Sequence, residues 1–432
     1  MRNNHKIIAE NLRLPFKIKK AALALGTQAK NTLCFAEGDT AYISRAHPDL
    51  STPEDLSNFE KDVRFFLKRN PRIIACDLHP DYASTKYARQ LRATNDPSIS
   101  LGAGERRTTP RFHSGQANDP STWFDSAHHR SLGVNVRRPI QHHHAHIASC
   151  MAENGLINQR VIGVAFDGTG LGSDNTLWGA EFLICDYNTF QRSAHLRDIP
   201  LLGGEAAVRE PWRVAAAWLY TAYPREFARL GIGFIRGLDK NKWGVLKKMY
   251  ATGFNSVSTS SMGRLFDAAA SIILEDHEAG GEAELAIKLE KMAQTSAPKQ
   301  KPYHFKIFKK DGIYIIDPIT LFKEIVVDIK NHRPKEAMAY SFHLGVAVML
   351  KNTCLVLRRK HKISRVALSG GVFQNSLLLR LGSALLYKEG FEVFTHKKIS
   401  CNDSGVSLGQ AVIAAQLYFR GLETAPLRAR MS

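Results

Sequence analysis

Four histidines fall within five residues in "QHHHAH" (141–146). Small and apolar residues follow, so the stretch reads as the start of a buried helix. On a helix, positions i and i+4 share a face with Cβ atoms about 5–6 Å apart. His142 and His146 have that spacing, and two imidazoles so placed can bind one divalent metal. His143 and His144 then point elsewhere. Two ligands do not close a site, so a third is expected from a distant acid. Asp403 is the first choice, in the tight turn "CNDSG" ahead of a Gly-containing helix start, with the soft Cys401 as an alternative. The competing reading is a histidine cluster that serves a surface or satisfies buried polar groups.

Three further segments carry chemistry. "FDGTGLGSD" sets Asp167, Gly168, Thr169, Gly170 and Gly172 between two apolar runs. Closely spaced glycines let backbone N–H groups approach a phosphate without a Cβ clash. Asp167 could hold a metal or orient a water; a plain Gly-rich hairpin is the alternative. In "LSGGVFQN", Ser369, Gly370 and Gly371 leave room for a ligand over the backbone, with Asn375 at a helix start. A packed strand-to-helix turn would look the same. "GEAAVREPWR" clusters Glu205, Arg209, Glu210 and Arg213. Its arginines could hold phosphate or carbonyl oxygens, or form a surface salt-bridge cluster.

An α/β alternation must position these residues. "AALALG" (21–26) reads as a strand entering a turn, and "TAYISRA" (40–46) as its hairpin partner after the turn residues "EGD". "STPEDLSNFEKDVRFFLK" carries helix signals, with Pro and acids early and basic residues late. "RIIACDL" (72–78) is the next strand. Residues 92–137 lack periodicity and are expected to form an exposed insertion. After the histidine helix, "VAFDGTGLGSDNTLWGAEFLIC" echoes "LALGTQAKNTLCFAEGDTAYIS": each is strand, Gly-containing turn, strand. Two such hairpins suggest duplicated α/β lobes closing on a nucleotide. Helices are expected at 261–276, 282–294 and 336–360, then a strand, a Gly-Gly turn and two helices.

The totals bound the class. The chain has 432 residues, 44% of them hydrophobic, enough for more than one core. No apolar run reads as a membrane span, the N-terminus lacks a signal-peptide core, and the six cysteines are scattered without CxxC. A cytoplasmic location without membrane association is therefore expected, and disulfide or zinc-finger frameworks are not. The formal net charge of +19 favours an acidic partner, although most basic residues are dispersed; "KQKPYHFKIFKK" (299–310) is a local concentration.

Five segments together resemble the carboxy-terminal, TsaD-like half of the HypF carbamoyltransferase family. They are "LALGTQAKNT", "CDLHPDYAST", "QHHHAHIAS" with "FDGTGLGSDNTLWGAEF", "SSMGRLFDAAASI", and "LSGGVFQN" with "CNDSGVSLGQA", in family order from about residue 21 to 420. The resemblance implies a two-lobed actin/Hsp70-like ATPase fold. Lobe I would span 21–200 after an N-terminal extension of 1–20, and lobe II with the closing helices 201–432. It implies His142, His146 and Asp403 as ligands of one divalent metal, iron or zinc, with Asp167 a fourth ligand or close neighbour. Gly168, Thr169, Gly170, Gly172, Asp267, Gly280, Gly281, Gly370, Gly371 and Asn375 would line the pocket for ATP or carbamoyl-adenylate. Arg209 and Arg213 would offset developing negative charge. The implied activity moves a carbamoyl group from carbamoyl-adenylate to the C-terminal cysteine of a HypE-like protein, in cyanide-ligand synthesis for nickel–iron hydrogenases.

This chain opens at the TsaD-like region, so a separate YrdC-like protein is expected to make the adenylate. The family's Asp-Gly-Gly reads Asp403-Ser404-Gly405 here. The family's Tyr-Glu-Gly reads Ala279-Gly280-Gly281, displacing an acid to Glu282. Threonylcarbamoyl transfer to tRNA adenosine fits the basic charge, but the histidine and Asp167 segments look like HypF, so nucleic acid is not the expected partner. The same residues also admit small-molecule O-carbamoylation or a non-catalytic nucleotide-binding scaffold.

Overall fold

Period-two patterning starts earlier than the first apolar run. In the computed structural model, which describes residues 7–91, 136–297 and 299–419, the first strand is Ile8–Ala24. Leu12, Leu14 and Ile18 point inward, and Arg13, Lys17 and Lys19 outward. Residues 8–20 therefore belong to a sheet and are not an extension. The partner strand is Cys34–Ser44, antiparallel, with Leu12 opposite Ala41 and Ala22 opposite Ala36. The expected turn residues 37–39 lie inside that strand. Gly38, at φ +59°, absorbs a pairing irregularity instead of closing the hairpin.

Two sheets repeat one plan. The first has the order Cys34–Ser44, Ile8–Ala24, Ile73–Asp77, Val136–Ile140. An antiparallel hairpin is followed by strands added in parallel, Ala22 opposite Ile73 and Ile73 opposite Val136. Among the described residues, the second sheet has nine strands around the hairpin Val161–Leu171 and Leu177–Cys185. Its inner strand pairs in parallel with Arg365–Ser369, which pairs in parallel with Glu392–Phe394. The echo between the two Gly-containing segments is thus an equivalence of topology.

The expected division at residue 200 falls inside the second sheet. Val161–Leu171, Leu177–Cys185 and Phe190–Leu196 are joined by short turns, so they pair with one another and belong to the second half of the molecule. The break between sheets falls between Ile140 and Val161, and the histidine helix, His142–Glu153, spans it. The last helix, Val406–Phe419, returns to the first sheet, where Gln410 accepts from the Gly26 N–H at 3.0 Å. A Cβ at Gly409 would sit 1.8 Å from the Ala145 carbonyl oxygen, so only glycine lets these two helices pack so closely.

Ile147 and Met151 of the histidine helix share one core with Ala24 of the first sheet, Leu183 of the second and Val412 of the last helix, so both halves pack apolar side chains around it. The expected insertion 92–137 lies outside the described residues except for Val136 and Arg137, which open a strand. The helix Lys335–His361 reaches membrane-spanning length and apolarity, but most of that stretch is buried in the protein core.

Candidate metal centre

The histidine helix starts at Gln141, whose side chain accepts from the His144 N–H at 2.8 Å. With the first turn so fixed, His142 and His146 face one way and His143 and His144 do not. All four are buried. His144 Nε2 meets the Asp186 carbonyl at 2.6 Å, and His143 Nδ1 meets Gln141 Nε2 at 3.2 Å. Burial holds both below the usual histidine range, to about 4 and about 3, so both are neutral.

Asp167 reaches the cluster from the middle of the Val161–Leu171 strand, where its pairing is interrupted between Phe166 and Gly170, and Asp403 from a one-turn helix, Asp403–Gly405. One donor atom from each of His142, His146, Asp167 and Asp403 lies within 4.8 Å of the other three. His142 Nε2 is 3.2 Å from Asp167 Oδ2 and 3.7 Å from Asp403 Oδ1. His146 Nε2 is 3.3 and 3.6 Å from the same two oxygens, yet makes no directed hydrogen bond. Burial lowers both imidazoles, but the carboxylates outweigh it: Asp77 and then Asp167 and Asp403 hold His142 well above the usual range, and Asp167 and Asp403 raise His146. Asp167 is pulled well below the carboxylate range against its burial, chiefly by the two histidines.

This donor set fits a divalent cation. Two carboxylates and two imidazoles converge, three of the four residues buried and Asp403 partly so, and among the described residues His146 Nε2 makes ion-pair contacts but no directed hydrogen bond. Asp77, at the end of Ile73–Asp77, accepts from His142 Nδ1 at 2.9 Å, so Nε2 is the nitrogen that faces the cluster and can bind a cation on losing its proton. Asp77 lies in the "CDLHP" segment, but sequence reasoning assigned it no role. An acid at a strand's carboxyl end, where such sheets present their ligands, was the available signal.

The glycines divide by function. Gly371 donates to Asp167 Oδ1 at 3.0 Å, and a Cβ on Gly370 (φ +103°) would collide with the Phe166 carbonyl oxygen at 2.2 Å. These two glycines hold Asp167. A Cβ at Gly170 would meet the His143 and His142 rings, and one at Gly172 would meet the Trp178 indole, so both glycines are used in packing. Gly168 faces open space, and Thr169 is half-buried beside it.

Other expected nucleotide residues have partners within the protein. Asn375 caps the helix Ser376–Lys388 through the Leu378 N–H at 2.8 Å and meets His343 Nε2 at 2.9 Å. Asp267 is buried on Met262–Leu274 and paired with Arg264 at 2.8 Å. Gly280 N–H donates to Glu284 at 2.6 Å, a Cβ at Gly281 would meet nothing, and Glu282 pairs with Lys30 at 2.8 Å across the two halves.

Arg209 lies 3.9 Å from Glu205 and Arg213 2.7 Å from Glu210. Among the described residues, no hydrogen bond or ion pair joins either arginine to the His2Asp2 cluster. Cys401 is not in the donor group, and burial raises its thiol to about 11. Ser404, where the family has glycine, donates its hydroxyl to Asn402 Oδ1 at 2.9 Å and stays outside the left-handed region, so the turn accepts it.

Two α/β halves of one plan, closing on a buried His2Asp2 cluster, define a Kae1-like domain. Residues 17–153 match the family model described as the HypF Kae1-like domain, and residues 163–410 the carbamoyltransferase Kae1-like domain, second subdomain. The chain belongs to the HypF carbamoyltransferase family and has its actin/Hsp70-like fold.

Carbamoyltransferase HypF of Synechocystis sp. is 30% identical over 420 residues, covering 93% of this chain and 48% of that protein. A carbamoyltransferase HypF homolog of Cupriavidus necator is 31% identical over 402 residues, 91% of each chain. Among solved structures, full-length HypF in a phosphate- and nucleotide-bound form aligns with a TM-score of 0.78 at 33% identity, covering 94% of this chain and 57% of that one. T. kodakarensis HypF aligns at 0.77 and 28%, covering 95% and 49%. This chain therefore spans about half the length of the Synechocystis relative and of these structures.

Proposed function

We propose that this chain transfers a carbamoyl group from carbamoyl-adenylate to the C-terminal cysteine of a HypE-like acceptor, at a metal held by His142, His146, Asp167 and Asp403. The observation that carries the reading is the convergence of these four donors in a chain of this family, with His146 Nε2 lacking a directed partner. A bound divalent cation, iron or zinc, supplies Lewis acidity toward the phosphate and carbamoyl oxygens. The chain's own residues do the rest. Asp77 holds His142 in the tautomer whose Nε2 is a ligand, and the backbone at Gly370 and Gly371 fixes Asp167. Gly168 and Thr169 border the cluster and leave room for the nucleotide's phosphate. The acceptor enters as a thiolate, and its sulfur bonds to the carbamoyl carbon. The carbon–oxygen bond to phosphate breaks, AMP leaves, and a thiocarbamate remains.

The adenylate would come from a YrdC-like activity. The test supplies a peptide ending in Cys with a YrdC-like protein, ATP and carbamoyl phosphate, and follows it by mass spectrometry. The expected result is a gain of one carbamoyl group with the wild-type chain and none with His146→Ala, which should also lose its metal. An unmodified peptide with metal-loaded wild-type protein would reject this acceptor class. Equal metal content in wild type and His146→Ala would reject the site.

A further inference from the structure

The histidine helix carries two of the donors near one end and Glu153 at the other. The Glu153 carboxylate is buried and faces the loop 396–402, which leads into Asp403. One oxygen accepts from the backbone N–H groups of Lys397 at 2.9 Å, Lys398, and Ile399 at 3.1 Å. The other accepts from His396 Nδ1 at 2.9 Å. Although burial opposes it, these four donors hold the acid down to about 2, so it stays an acceptor across the working range.

An ionised carboxylate can only accept, and burial keeps His396 neutral, so the His396 proton lies on Nδ1 and its Nε2 carries a lone pair. That lone pair takes the Ser369 hydroxyl hydrogen at 2.8 Å. Ser369 Oγ then faces His146 Nδ1 at 3.4 Å as an acceptor, a long contact that turns His146 Nε2 toward the donor cluster. Further along the same loop, the Cys401 carbonyl accepts from Gly370 N–H at 2.9 Å, next to the Gly371 that holds Asp167.

We infer that Glu153 and His396 are positioning residues of the metal centre: from the far end of the helix that supplies two ligands, they fix the loop that supplies Asp403 and orient His146 through Ser369. This rests on the reading that the cluster holds a metal. One helix thereby sets three ligands, two through its own backbone and one through the loop it grips. Loss of such an outer partner typically lowers metal affinity about 10–100-fold.

The experiment titrates the full chain, stripped by chelator, with zinc in competition with a fluorescent chelator, and records cobalt(II) absorption. Glu153→Gln keeps the shape but puts an amide among four donors. It should bind zinc about 10–100-fold more weakly and shift the cobalt spectrum, because Asp403 is no longer held. In the Asp403→Ala background the same change should cost no more than about twofold, since the ligand through which Glu153 chiefly acts is already gone. Arg365→Ala, at an exposed pair with Glu392, should bind like wild type. If Glu153→Gln does not fold, His396→Gln is titrated in its place, with the same direction expected.

Unchanged affinity and spectrum in these variants would overturn the inference and leave the metal reading standing. Full additivity of Glu153→Gln with Asp403→Ala would overturn it too, by showing a general loss of stability. No zinc or cobalt binding by the wild-type chain would overturn the metal reading first, and the inference with it.

Discussion

Two buried acids on neighbouring strands of one hairpin show how a structural charge differs from a ligand. Glu181 is fully buried and accepts from Arg192 Nε at 2.6 Å and Nη2 at 3.1 Å, from Ser260 Oγ at 2.6 Å and from Gly179 N–H at 3.2 Å. Its lone pairs are answered by hydrogens, and Arg192 also stacks over Trp178 at 4.1 Å. Asp167 has one oxygen satisfied by Gly371, but its other oxygen shares a small space with Asp403 and two imidazole nitrogens. Both acids are held below the carboxylate range, Glu181 to about 2 and Asp167 well below its usual value, despite burial. The direction of the shift therefore does not separate them. The partners do: an acid answered by fixed donors closes a network, whereas two acids sharing the titratable nitrogens of two imidazoles form a donor set that a cation can take in exchange for protons.

The contrast can be broken from either side. Arg192→Ala removes the cation from the satisfied network and leaves Glu181 buried and uncompensated. A loss of about 3–5 kcal/mol in denaturant unfolding is expected. A loss under about 1 kcal/mol would mean that Glu181 is not the structural member of the pair.

The second test is pH. His142 and His146 have folded values raised above the ordinary histidine value of about 6.5. Their contribution to metal-free stability is therefore complete below about 6.5 and is lost as pH rises through the folded values. Metal must displace those protons, so zinc affinity should climb over the same range. Chelator-treated protein, unfolded at a series of pH values from about 6 upward, should weaken on the alkaline side, and His146→Ala should weaken less. A flat wild-type profile would contradict the shifted histidines. Glu181 behaves oppositely, its contribution being present above its unfolded value and lost only as pH falls toward about 2.

The smallest effect should come from Arg209→Ala. Its 3.9 Å pair with Glu205 is exposed on both sides, so stability should change by less than about 0.5 kcal/mol and zinc affinity not at all. A clear loss of zinc binding in that variant would give the arginine a part in the site that its contacts do not.

Much of the fold is legible along the chain because its determinants are local. Thr52 and Pro53 with Glu54 and Asp55 start the helix Pro53–Leu67, as expected. The two hairpins read correctly as repeated units. The first strand's early start is hidden because Pro15 interrupts the alternation of Leu12, Leu14 and Ile18, and Gly38 imitates a turn signal because it serves as an irregularity inside a strand. The lobe boundary is not legible along the chain, because a hairpin shows where strands pair with neighbours, not which sheet they join.

At the site, the i,i+4 spacing alone put His142 and His146 on one helix face, since helix geometry is set by the backbone. The acid in the turn before the last helix was also readable from residue type. What tertiary structure decided is everything that depends on distant segments arriving together. Asp77 orients His142 from 65 residues away, and Glu153 grips residues more than 240 positions downstream. The same holds for the residues left out of the cluster. Asn375 and Asp267 have the chemistry of ligand-binding groups, and only the folded chain brings them against His343 and Arg264. Residue type and spacing state what a side chain can bind; which partner it has is settled only when burial strips away water and leaves the groups packed against it.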